Sequence, residues 1–141
     1  MAIDADALIV RTSAFFGPWD RHNFLVNTVE RLARGEDVFA SAKTIVSPTY
    51  VPDLVHATLD LLLDDEKGIW HLTNQGSVSW HELAQAVADR ARLDVGRIII
   101  PEVDEPSDTS LTSKRGLLLR PLDRALDDFA IHSEPLIALN R

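Results

Sequence analysis

The sequence predicts an α/β fold, and three observations predict it. Short apolar runs alternate along the chain with stripes of helical period. Those runs are short and continuous, as in strands buried on both faces. Breaker residues separate the two kinds of segment, as at Gly17-Pro18, Gly35 and Gly68. With 141 residues, the chain reads as one domain over residues 1–141. A chain of that size buries roughly two thirds of its unfolded surface. Hydrophobic residues make up 45% and charged residues 26%, which suits a packed core and argues against disorder.

Each element has a local cause. Residues 7–10 (Ala-Leu-Ile-Val) read as a buried strand ended by Arg11. A buried parallel strand needs neighbours on both sides, so this one expects strands from elsewhere. A loop then carries Gly17-Pro18. Asn23 is a good N-cap for a helix that places Leu25, Val29, Leu32 and Ala33 on one stripe, with Gly35 at its C-terminal end. Val38-Phe39 forms a short strand. Residues 44–50 are extended, because Ser47 precedes a proline. Asp53 is read mainly as the N-cap of a helix over residues 54–63. That helix is apolar almost all round, which predicts burial on more than one side.

Gly68 opens a strand over residues 69–72. Ser79 and Glu82 have capping-box spacing. Behind them Trp80, Leu83, Ala84, Val87, Ala88 and Ala91 form the cleanest helical stripe in the chain. Ile98, Ile99 and Ile100 make another strand, stopped by Pro101. Residues 102–110 are acidic and proline-punctuated, and are expected to be a mobile surface loop. Pro121 suits the first turn of a last helix, with Leu122, Ala125, Leu126 and Phe129 facing inward. Residues 132–141 are expected to be a loose tail.

Composition excludes several functions. A net charge of −8 argues against a broad grip on nucleic acid or anionic membrane. There is no cysteine, so disulfide and thiolate chemistry are absent. Residues 1–6 show no signal-peptide pattern and no apolar run is long enough to span a bilayer, so a cytoplasmic location is expected. The five histidines have no metal-ligand spacing on a helix face, and no metal is expected. His56 and His81 read as ordinary helix-surface residues.

Several segments, in order, resemble one family. Leu8-Ile9-Val10-Arg11-Thr12-Ser13 followed by Phe16-Gly17-Pro18 resembles the strand and loop IVRTSWVFGP of dTDP-4-dehydrorhamnose reductases. Asn23-Phe24 and the following helix resemble their NFVKTMLRLA. Ser47-Pro48-Thr49-Tyr50 with Asp53-Leu54 resembles SPTYxxDLA. Gly68-Ile69-Trp70-His71-Leu72 resembles GIYHL, and Ser79-Trp80-His81-Glu82-Leu83-Ala84 resembles SWYEFA. The match covers about residues 7 to 90.

The resemblance implies an extended short-chain dehydrogenase/reductase. This chain would supply the last strands of the Rossmann sheet plus the small substrate-binding domain. It lacks the rest. Its six glycines, at 17, 35, 68, 76, 96 and 116, form no dinucleotide fingerprint. The catalytic Tyr-x-x-x-Lys pair is also missing, since Tyr50 is the only tyrosine and Leu54 lies four residues on. Without that acid, reduction of a keto sugar has no proton donor here. The expectation is therefore a nucleotide-sugar-binding portion, specifically for a dTDP-4-keto-6-deoxyhexose, inactive alone. No cofactor is expected for this chain by itself; NADPH or NADH is implied for an intact parent. The partners implied are a nucleotide sugar, the missing Rossmann domain and a possible second copy through an exposed strand edge. A degenerate protein-interaction module and part of a sugar-nucleotide epimerase are the alternatives.

The same resemblance marks the candidate ligand residues. Thr12 and Ser13 follow the first strand, and crevices at strand carboxyl ends bind ligands; loop hydroxyls that satisfy backbone are the plain alternative. Phe16 is the best functional choice among Phe15, Phe16 and Trp19, although packing of the loop is favoured for all three. Asn23 and Phe24 begin a helix whose positive end can meet a phosphate. Ser47, Thr49 and Tyr50 would line the nucleotide-sugar site. Ala14, Thr44 and Val46 depart from the family, which carries tryptophan, glutamine and glycine there. Lys114, Arg115, Arg120 and Arg124 read as a solvated basic patch rather than diphosphate ligands.

Overall fold

The computed structural model describes residues 6–111 and 119–140. The elements run β1 Leu8–Arg11, β2 Phe15–Phe16, α1 Phe24–Ala33, β3 Val38–Phe39, β4 Thr44–Val46, β5 Thr49–Tyr50, α2 Val51–Leu63, β6 Gly68–His71, β7 Val78–Ser79, α3 Trp80–Ala91, β8 Ile98–Ile99, β9 Ser107–Asp108 and α4 Leu122–Asn140. Among the described residues, β1 pairs only with β6, in parallel, with Ile9 opposite Ile69 and Val10 opposite Trp70. The β1–α2–β6 segment is thus a crossover unit with one helix on one face. The short parallel pairs β2·β5 and β3·β8 and the three-stranded set β7-β4-β9 stitch the rest together.

Three helices form the second layer. α1 buries Leu25, Val26 and Val29 against α3 (Leu83, Val87) and α4 (Ala125, Leu126, Phe129). α1 starts as its sequence requires: Asn23 Oδ1 accepts from the Val26 amide at 3.0 Å. It ends on Gly35, whose φ of 77° is left-handed. The Gly35 amide donates to Leu32 O and the Glu36 amide to Arg31 O, the paired bonds of a Schellman stop. In α3, Ser79 Oγ caps the Glu82 amide at 3.1 Å.

Four expectations need correction. α2 begins at Val51, not Leu54, and Asp53 is not its cap. Pro52 fixes the backbone for the first helical turn, so the cap moves back to Tyr50 and Asp53 falls inside the turn. α2 is also buried on one side only, through Ala57 and Leu61. Val55, Leu59, Leu62 and Leu63 are each about half exposed or more, because the sheet beneath is two strands wide.

Residues 102–110 are fastened down rather than mobile. Asp104 accepts hydrogen bonds from Ser41 Oγ and the Ala42 amide. Ser107–Asp108 pairs in parallel with Thr44 and Ile45 of β4. Finally, residues 132–140 are helical rather than loose. Ser133 and Ile137 are buried, and Arg34 Nη1 donates to Asn140 Oδ1 at 2.9 Å. The burial of Ile137 in the main core is what holds this last part of α4. Arg141 lies outside the described residues.

Candidate functional site

The expected ligand residues do not gather in one place. Thr12 and Ser13 follow the carboxyl end of β1, as its strand direction dictates. Thr12 Oγ1 donates to Thr49 Oγ1 at 3.2 Å. Thr49 is fully buried, and its single hydroxyl proton goes to Ser13 O at 2.7 Å. Its amide donates to Ala14 O at 3.1 Å. This knot fixes the turn between β1 and β2, where Ala14 takes a left-handed φ of 47°.

Ser47 is buried as well. Its Oγ accepts from the Leu111 amide at 2.8 Å, so it anchors the end of the acidic segment. Phe16 is a core residue, 5.2 Å from the Tyr50 ring and 5.6 Å from the Phe129 ring. The packing reading of Phe16 therefore accounts for its position, and its exposed neighbours Phe15 and Trp19 are the aromatic surface of that loop.

Asn23 and Phe24 open onto a groove of about 270 Å³ that runs along α1 from its amino end to Arg31 in its last turn. Asn23 is 7% exposed and fully employed. Besides capping Val26, its Nδ2 donates to Gly17 O at 2.8 Å and Asp20 O at 2.7 Å, which fixes the Gly-Pro loop to the helix. The rest of the groove is His22, Asn27, Thr28 and Arg31 on one side and Asp37 to Phe39 on the other. Phe39 is 63% exposed, and Phe24 rests against Trp80 at 4.8 Å. The groove thus combines a helix amino terminus and an open aromatic face with Arg31, whose Nε donates to Asp37 O at 3.2 Å and lies 3.7 Å from Glu36 Oε2. That set can hold an anion beside a flat ring.

Tyr50 belongs to a different place. It borders a cleft of about 470 Å³ with Trp19, Asp53, His56, Arg120 and Asp128 among its walls. Arg120 is not a solvated cation: its Nε donates to Asp53 Oδ2 at 2.9 Å and its Nη2 to Asp128 Oδ2 at 2.6 Å. Pairing with Asp53 first, then Asp128, holds its guanidinium further toward the protonated form. Arg124 is exposed, as expected, and Lys114 and Arg115 lie outside the described residues. Burial, with Asp128 and Asp53 adding to it, raises the Tyr50 phenol above its ordinary value, against the pull of Arg120.

Sequence reasoning missed Asn74. It is 1% exposed and joins four segments. Its Oδ1 accepts from the Tyr50 amide at 2.7 Å, and its Nδ2 donates to Asp53 Oδ2 at 2.8 Å and Arg120 O at 3.1 Å. An asparagine just after a strand reads as an ordinary turn residue, so no periodic signal could have found it. Among the described residues, no three histidine or acidic side chains are grouped to hold a metal ion, and no helix is long and apolar enough to cross a membrane.

A parallel crossover unit packed beside a grooved layer of three helices defines an α/β protein. The chain belongs to the RmlD substrate binding domain family, whose model it matches over residues 2–125. It is similar to the dTDP-4-dehydrorhamnose reductase of Mycolicibacterium smegmatis, with 35% identity over 100 residues, 70% of this chain and 30% of that protein. It is 28% identical to the enzyme of that name from Aggregatibacter actinomycetemcomitans, over 90% of this chain and 44% of that protein. Among solved structures, the dTDP-4-dehydrorhamnose reductase of Bacillus anthracis in complex with NADP superposes with a TM-score of 0.77 at 28% identity, covering 92% of this chain and 49% of that one. The chain spans between about a third and a half of the length of the curated relatives it matches.

Proposed function

We propose that this chain is the nucleotide-sugar-binding half of a dTDP-4-dehydrorhamnose-reductase-like protein and does not reduce a sugar by itself. The observation that carries the reading is the groove along α1. Its helix terminus suits a phosphate, and the open face of Phe39 suits a flat base, while Arg31, in the last turn of α1, lines the far end of the groove with its Nε donated to Asp37 O at 3.2 Å. Asn23 and Phe24 act as its rim, with the Asn23 amide holding the loop in place rather than touching the ligand. The ligand would be a dTDP-linked 4-keto-6-deoxyhexose, the class that the relatives' names imply.

The chemistry would come from a second half. The residues here do not suit a dinucleotide: the turn after β1 is Thr12-Ser13, with no glycine-rich loop entering a helix. The left-handed glycines Gly35, Gly68 and Gly76 serve a helix end, a strand start and a turn. An NADPH- or NADH-binding Rossmann half would add a parallel strand beside β1, the strand that pairs with β6 alone among the described residues. It would also bring the tyrosine acid that Tyr50 cannot replace, since Tyr50 is 2% exposed and raised in pKa. Such a protein would work in the cytoplasm.

Calorimetric titration of the chain with dTDP-rhamnose, dTDP and NADPH tests the reading. Binding of both dTDP ligands with none of NADPH supports it. Binding of NADPH, or of none of the three, rejects it for this chain.

A further inference from the structure

The backbone of β1 divides by parity. Ala7 O accepts from the Gly68 amide and Arg11 O from the Leu72 amide, each at 2.9 Å. Odd positions therefore turn their backbone groups toward β6, and the N–H and C=O of Leu8 and Val10 point the other way. Among the described residues no strand meets them there. We propose that this edge pairs with the same edge of a second copy of this chain, antiparallel about Ile9, and that the two α2 helices pack side by side over the joint.

The edge is complementary to itself. With Ile9 opposite Ile9 of the second copy, Leu8 falls opposite Val10 and Val10 opposite Leu8. Those are the residues whose donors and acceptors point outward, so each such pair exchanges both of its backbone bonds. A two-fold axis at Ile9 produces this register and keeps equivalent faces on the same side of the joined sheet. Leu8 and Val10 already pack with Ala57, Leu61 and Trp70 beneath α2. Their cross-strand contacts therefore join the two cores under the helices.

α2 supplies the second part of the surface. Asp53, in its first turn, pairs with Arg120, whose carbonyl accepts from the Gln75 amide just past β6. Val55 and Leu62 stand roughly half a turn around the helix from Asp53, so they look away from that anchored flank. They are 48% and 57% exposed, an apolar flank without a partner in the single chain. The spacing also fits. Neighbouring strands lie about 4.8 Å apart, so joining two strand pairs edge to edge sets the helices above them about 10 Å apart. Packed helices lie about 8–10 Å apart.

A Rossmann half would take this same edge, so the pairing belongs to the chain without that half. It does not rest on the nucleotide groove, whose calorimetric signal is read separately. Sedimentation velocity of the whole chain, up to millimolar concentration, should show a reversible dimer. The chain has no cysteine, so a single introduced one reads the register. Ile9→Cys should give disulfide-linked dimers on mild oxidation, because opposed residues of a non-hydrogen-bonded pair have Cα atoms about 4.5 Å apart, within disulfide reach. Arg11→Cys should not, since the register sets it opposite Ala7 and far from its own counterpart. Val55→Lys combined with Leu62→Lys, both at exposed positions, should give a monomer with unchanged far-ultraviolet circular dichroism. A chain that stays monomeric at millimolar concentration overturns the proposal. So does a dimer that Ile9→Cys fails to link, or one that the two lysines leave intact.

Discussion

Asp53 and Arg120 lie 67 residues apart in sequence and 2.9 Å apart in space. Asp128 completes the bridge from α4, so one guanidinium ties the first turn of α2 to the last helix. The Asp53 side chain is 16% exposed and the Arg120 side chain 37%, which makes this the most shielded ion pair among the described residues. Arg120→Ala should lower the unfolding free energy by about 1–2 kcal/mol, measured by urea denaturation, because it strands a partly buried carboxylate. Arg120→Lys should recover only part of that, since an ammonium cannot reproduce the two-armed fork.

Asn23 offers a second stability test. Asn23→Ala removes the cap on Val26 and both bonds to the preceding loop. A loss of about 1–2 kcal/mol is expected. Asn23→Asp should restore the cap but not the two donated bonds, and should fall between the two in the same urea series.

The two flanks of α2 should answer differently to substitution. Leu61, 5% exposed against Trp70 and Leu72, should cost about 2–5 kcal/mol as Leu61→Ala. Leu59, 53% exposed, should cost less than about 0.5 kcal/mol as Leu59→Ser. Equal costs would contradict the one-sided burial of this helix.

Acid should loosen the acidic segment before the core. The hydrogen bond from Ser41, the largest influence, works against desolvation and, with the Ala42 amide and Lys43 adding to it, holds Asp104 below the ordinary carboxylate range. A depressed folded-state pKa gives stability that is present above the unfolded value and lost as pH falls through the folded one. Exchange of the Ala42 amide should therefore quicken, relative to core amides of α3, only as pH drops below the ordinary carboxylate range. The Ser41→Ala variant should show that faster exchange already at neutral pH.

Much of this architecture was legible in the sequence. Asn23, Gly35 and Ser79 announced helix ends through local backbone needs, and the stripe from Leu83 to Ala88 announced its buried face. The start of α2 was misread for a local reason, Pro52 in its first turn; the other misreadings turn on partners distant in sequence. Nothing near Asp53 reveals Arg120, and nothing near Asp104 reveals Ser41. The apolar α2 promised burial that a sheet of two strands does not provide. The candidate site was less legible. Ser47, Thr49 and Phe16 stand out in the sequence only through their place in a motif, and all three are buried. Asn23 and Phe24 do border a groove, while Arg31 further along α1 and Phe39 on the opposite side carry no local signature.

The central claim is that the groove along α1 takes the nucleotide. Amide chemical shifts recorded during titration with dTDP test it most directly. The account predicts saturable shifts concentrated at Phe24, Asn27, Arg31 and Phe39, with α4 left unchanged. Shifts centred elsewhere, or none at millimolar dTDP, would contradict it.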